Sequence, residues 1–93
     1  MSLLLKDAAA ALDYSVDWGA DYLVEESLVD SMWSVTPVET GGVTIDSSRF
    51  GPTIATVVVS SGVAGRIYRL SNQVTTSTGR HDVRSVVLRV GER

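Results

Sequence analysis

His81 is the only histidine of this 93-residue chain. Arg80 and Asp82 flank it in a stretch that follows Thr78-Gly79. An imidazole beside a carboxylate is the start of a general-base arrangement, but that chemistry also needs a nucleophile held against the base. No Gly-x-Ser-x-Gly elbow supplies one, so His81 is expected as a solvated loop residue. Asp13, Asp17 and Asp21, with Asp7 nearby, suggest a calcium site, which requires several oxygens converging from one loop. On an extended strand Asp13 and Asp17 lie roughly 13 Å apart, too far to share an ion; on a helix they would share a face and still lack a full ligand set. They are expected as the solvent side of a strand. Gly41-Gly42 and Ser61-Gly62-Val63-Ala64-Gly65 lack the Lys-Ser/Thr of a phosphate loop and read as turns. Tyr14, Trp18, Tyr22 and Trp33 could line a sugar or peptide groove. Tyr14 and Trp33 are expected in the core, and Trp18, which ends its strand, is expected to be more open. Tyr22 is the best candidate for an exposed contact. No catalytic, cofactor-binding or metal-binding residue is predicted.

The elements that must position these residues read as strands. Leu12-Asp13-Tyr14-Ser15-Val16-Asp17-Trp18 alternates, with aromatic and β-branched residues on the apolar side. Ser27 to Val35 forms the next strand, closed by Pro37. A short strand follows at Val43-Thr44-Ile45, and Asp46 to Pro52 is polar and turn-like. Ile54 to Ser60 is a β-branched run between Pro52 and Gly62. Tyr68, Leu70, Asn72 and Val74 share one face of a long strand. Val86, Leu88 and Val90 face inward on the last strand, while Val87 and Arg89 face outward. The two final strands, joined by a Gly-containing turn, should form an antiparallel hairpin. The expected core joins Val16, Trp33, Val57, Tyr68, Leu70, Val74, Val86 and Leu88.

The stretch from Gly65 to Asn72 is the most specific signal. In immunoglobulin-like sandwiches a Tyr near the start of a late strand, two residues before an inward position, hydrogen-bonds back to the upstream loop. Tyr68 has residues 61–65 as that loop, and Leu70 stands where an antibody domain places a cysteine. The reading is a small all-β, immunoglobulin-like sandwich of about six to seven antiparallel strands over residues 12–93. Residues 1–11 precede it as an N-terminal arm.

Composition bounds the rest. An apolar fraction of 44% with 20% charged residues is that of a globular chain, and this length makes one domain. No cysteine is present, so apolar burial must hold the fold, as suits a reducing compartment. Lys6 and Asp7 end the leading Leu3-Leu4-Leu5 run too early for a secretory signal or a membrane span. The net charge of −3 is uneven. Residues 1–46 hold nine acids and one base, giving −8, and residues 47–93 hold seven bases and two acids, giving +5. Such a split neutralises itself within one sandwich or makes two faces of opposite sign. A net acidic chain with scattered arginines is a poor candidate for nucleic-acid binding.

Across most of its length the sequence resembles a family of small bacteriophage proteins, the fibre-tail adaptor or neck-associated structural proteins. The matching residues are Lys6-Asp7, Leu12 to Trp18, Trp33-Ser34-Val35, Ser60 to Gly65, Tyr68 to Asn72, Thr78-Gly79-Arg80 and Arg84 to Val90. Ala8-Ala9 stand where the family often has Pro-Asp, and Thr36 to Pro52 matches poorly. The resemblance implies a non-enzymatic virion protein at the phage neck or tail, made in the host bacterial cytoplasm. It implies several copies bound to portal-proximal, neck, tail or fibre proteins, with no cofactor, nucleic acid or membrane. The alternative is a carbohydrate- or receptor-binding β-sandwich module, or a capsid decoration protein. The candidate interface residues are Leu3, Leu4 and Leu5 of the arm, Tyr22, and the outward Arg69 and Arg89. Residues 1–6 are expected to be dispensable for folding.

Overall fold

The computed structural model describes residues 2–20 and 22–91, Ser2 through its backbone alone. Among these residues the chain forms seven strands and no helix: β1 Ser2–Lys6, β2 Leu12–Asp17, β3 Leu28–Thr36, β4 Val43–Phe50, β5 Ile54–Ser61, β6 Ile67–Thr76 and β7 His81–Val90. They build two sheets, in the orders β1-β7-β6-β3 and β2-β5-β4. The period-two alternation that marks β2, β6 and β7 in the sequence sends one set of side chains between the sheets. The result is a small β-sandwich.

Two stretches depart from expectation. The leader is not a free arm, because Ser2–Lys6 is the edge strand β1, paired in parallel with β7 from Ser2↔Val86 to Lys6↔Val90. An unpaired β7 edge would expose a row of backbone donors and acceptors, and β1 satisfies them. Period two then divides the leucine run. Leu4 packs against the core, and Leu3 and Leu5 face solvent. Every other strand pair is antiparallel. The second departure is Asp46 to Phe50, expected as a turn but forming the second half of β4. Pairing with β5 shifts between Ile45 and Ser47, then continues to Phe50↔Ala55. Ser60 Oγ donates to Asp46 Oδ1 at 2.9 Å, so the residue at the irregularity is tied to the neighbouring strand.

The interior is two clusters. One gathers Val43, Val57, Val59, Tyr68, Leu70, Val86, Leu88 and Val90, the other Val16, Trp18, Leu28, Ala55 and Val74. Asn72 stands at the division. It occupies the inward position of β6 between Leu70 and Val74 and is fully buried. Its Oδ1 accepts from Trp18 Nε1 at 2.9 Å, and its Nδ2 donates to Ser31 Oγ at 2.9 Å and to the Met32 carbonyl at 3.2 Å. A buried amide is tolerable when its bonds are met this way. Tyr14 and Trp33 pack on both clusters, with ring centroids 6.2 Å apart in an edge-to-face arrangement.

The corner predicted at Tyr68 is present. The Val63 amide donates to the Tyr68 hydroxyl at 3.0 Å, and that hydroxyl donates to Glu39 Oε2 at 2.5 Å. Burial first, then the bond to Glu39, raises the Tyr68 pKa. Gly62, in the same loop, has φ +114, and a Cβ there would lie 2.7 Å from Val90 Cγ2. Only glycine fits that turn without displacing the core.

Candidate functional site

Residues paired across a sheet share a face, so register shows which side chains meet. Leu3 lies opposite Val87, and Leu5 opposite Arg89. Across the next pair, Arg69 lies opposite Val87 and Ile67 opposite Arg89. Leu3, Leu5, Ile67, Arg69, Val87 and Arg89 therefore form one patch on the outer face of the four-stranded sheet. Leu3, Leu5 and Ile67 are 59%, 72% and 58% exposed, and both arginines are exposed. Among the described residues neither Arg69 nor Arg89 has a salt-bridge partner. The arrangement can offer an apolar surface with two guanidinium groups to a partner, in the manner of a contact site rather than a reaction centre.

Four of the six predicted interface residues, Leu3, Leu5, Arg69 and Arg89, are thus together. Leu4 is not with them, because the strand alternation turns it onto the core. Tyr22 is also elsewhere, in the β2–β3 connection, and is half-buried instead of exposed. The Arg80 guanidinium lies 4.4 Å from its ring centroid, and its ring meets Trp18 at 5.3 Å. Trp18, expected to be open, has no exposure at all, with Arg84 stacked 4.5 Å from its ring centroid. The aromatic groove needed by a sugar-binding reading is in this way filled by the protein itself. The patch also holds Ile67 and Val87, which the sequence reading does not single out. Periodicity places Val87 outward, but the parallel pairing with β1 that completes the patch has no local sequence signal.

The end of the sandwich bearing Tyr22 is closed by an ion pair. Arg80 Nη2 donates to Glu26 Oε2 at 2.6 Å, and the Thr78 hydroxyl donates to Glu26 Oε1 at 2.8 Å. The Arg80 bond above all, then those from Thr76 and Thr78, lowers the Glu26 pKa to about 2. At the opposite end Lys6 is buried. Its Nζ donates to the carbonyls of Asp7 and Ser61 at 2.8 and 2.7 Å, and burial lowers its pKa, opposed by the charges of Asp7 and Asp46. Both groups fasten loops.

The residues first considered for chemistry are dispersed. His81 is exposed, with Nδ1 3.0 Å from Thr75 Oγ1. Asp13 and Asp17 lie exposed on β2, and Asp21 lies outside the described residues. Among the described residues no three His, Cys, Asp or Glu side chains cluster as metal ligands.

Comparison with known families agrees with the resemblance in the sequence. The family described as podophage GP4 fiber-tail adaptor protein gp77 matches residues 6–89. The chain belongs to this family. No curated protein matches it. The match to this phage fiber-tail adaptor family spans β2 to β6 entire and β7 as far as Arg89, and of β1 it includes only Lys6. The whole leucine run, with Leu3 and Leu5 of the patch, therefore precedes the matched residues.

Proposed function

We propose that this chain is a non-enzymatic structural component of a bacteriophage virion, joining fibre and tail through protein–protein contacts. It works in several copies at the neck or tail after synthesis in the host cytoplasm. Membership of a fiber-tail adaptor family supports the structural role. The observation that carries the contact mechanism is the gathering of Leu3, Leu5, Arg69 and Arg89 on one sheet face. Exposed leucines surrounded by polar surface mark a place where another surface is buried. Arginines there orient and accelerate the encounter. The sandwich itself is immunoglobulin-like in this reading. The strand order, Trp33 on β3 and the Tyr68 corner on β6 support that description.

The test is binding of the chain to purified tail and fibre proteins of its own phage. The wild-type chain should retain at least one of them, and Leu3→Ser/Leu5→Ser should weaken retention while leaving circular dichroism unchanged. Binding of the wild-type chain to a glycan array, with no retention of tail or fibre proteins, would favour the carbohydrate-binding module instead.

A further inference from the structure

The two outer faces of the sandwich carry charges of opposite sign. On the four-stranded sheet, Arg89 sits between Leu5 and Ile67, and Val87 sits between Leu3 and Arg69. On the three-stranded sheet, Asp13 lies opposite Val58 and Asp17 opposite Ile54. Both aspartates are exposed, as is Ile54, while Val58 is half-buried. Between those two pairs Ser15 lies opposite Thr56, their hydroxyls 2.8 Å apart. This face is thus mostly polar and carries two anions, where the four-stranded face is mostly apolar and carries two cations. We propose that the partner of the four-stranded face is the three-stranded face of a second copy of this chain, so that copies join head to tail. The inference rests on the contact-mediated function above and names the occupant of the patch.

Charge complementarity decides between a second copy and the other ways to cover the leucines. Arg69 and Arg89 have no salt-bridge partner among the described residues, and Asp17 accepts only from the nearby Gly19 amide there, at 3.0 Å. These charges are available to pair between copies. A two-fold dimer through either face would set like charges against each other, which is costly. Joining unlike faces avoids both clashes and covers the exposed leucines, with Ile54 and Val58 as the apolar side chains of the opposing face. Arg49, the base on the acidic face, lies on β4 opposite Thr56, with β5 between it and the aspartates, so the contact runs along β2 and β5. A head-to-tail contact leaves one free face of each kind at every step. Copies therefore close into a ring or continue as a filament, according to the rotation between neighbours.

The test uses two double variants of the full chain, Arg69→Glu/Arg89→Glu and Asp13→Arg/Asp17→Arg, each checked for folding by circular dichroism. Sedimentation velocity over a range of concentration and salt reads the association. The wild type should self-associate, less so at high salt. Each folded variant, now carrying two faces of the same sign, should lose association by at least about tenfold. Mixing the two variants should restore assembly, and so should combining all four changes in one chain. A wild-type chain monomeric at every accessible concentration overturns the inference, as does a mixture of variants that fails to assemble. A monomeric chain that still enters virions leaves the adaptor reading standing without this one. A self-associating chain that never enters virions does the reverse.

Discussion

Asn72 accepts the indole N–H of Trp18 at 2.9 Å, with neither side chain reaching solvent. The bond joins β6 of one sheet to the end of β2 in the other, at the level where the apolar interior divides. It places a directional contact among side chains otherwise held by non-directional burial, and so fixes how the two sheets register on each other.

Asn72→Leu should be costly despite its greater hydrophobicity. It leaves Trp18 Nε1, Ser31 Oγ and the Met32 carbonyl without the partners they now have. A buried donor left unpaired costs about 1–3 kcal/mol. Denaturant unfolding followed by tryptophan fluorescence should show a lower midpoint at an unchanged slope. An equal or higher midpoint would mean the interior repacks around leucine.

Tyr68→Phe removes a bond to a carboxylate as well as one from the backbone. Hydrogen bonds to charged groups contribute about 1.5–3 kcal/mol, so the loss should exceed that of a corner made through the backbone alone. The raised Tyr68 pKa adds a signature at alkaline pH. The proton is held more tightly in the folded state, so the stabilisation is complete below the ordinary tyrosine range and fades as pH rises through the folded value. The Phe variant should lack that alkaline fall. A melting temperature equal to that of the wild type would contradict the corner's role.

Glu26 should govern part of the acid limb. Its folded pKa is about 2 against an ordinary value of 4.5. A depressed carboxylate pKa stabilises the fold at every pH above the unfolded value, and this is lost as pH falls from about 4.5 toward 2. Melting temperatures measured across that window should fall less steeply in Glu26→Gln than in the wild type. Arg80→Ala should flatten the same limb, because the Arg80 bond is the largest cause of the shift.

Deleting residues 1–6 should now be expected to destabilise the sandwich. It uncovers the β7 edge, removes Leu4 from the core and takes away the Lys6 bonds to Asp7 and Ser61. Leu3→Ser/Leu5→Ser leaves all of those in place. Thermal unfolding should separate the two, with a clear drop for the deletion and a change within about 0.5 kcal/mol for the surface pair. A deletion variant as stable as the wild type would show that β1 contributes no net stability.

The strands most legible in the sequence were those whose side chains alternate without interruption. Val83 to Val90 and Tyr68 to Val74 announce both their element and their inward face, and Tyr68 announces its corner five residues after Val63. Residues 46–50 gave no such signal. They are mostly polar, lie on an edge strand and follow a register shift that breaks the period. The enclosure of Trp18 was illegible for another reason. It depends on Asn72, Tyr22 and Arg84 arriving from distant parts of the chain. For the surface patch, Arg69 and Arg89 could be placed outward by periodicity. The leucine run, too short to show its period, gave no hint that β1 lies beside β7 or that Leu4 turns inward.

The parallel pairing of β1 with β7 also sets how the domain carries load. Tension applied through the start of β1 and the end of β7 pulls two strands that run in the same direction past each other. The evenly spaced backbone bonds from Ser2↔Val86 to Lys6↔Val90 are then strained together in shear rather than broken one after another. A fibre attached through such a domain would tug against the whole pairing at once, whereas the same force across a hairpin such as β6–β7 would open it from the end like a zip.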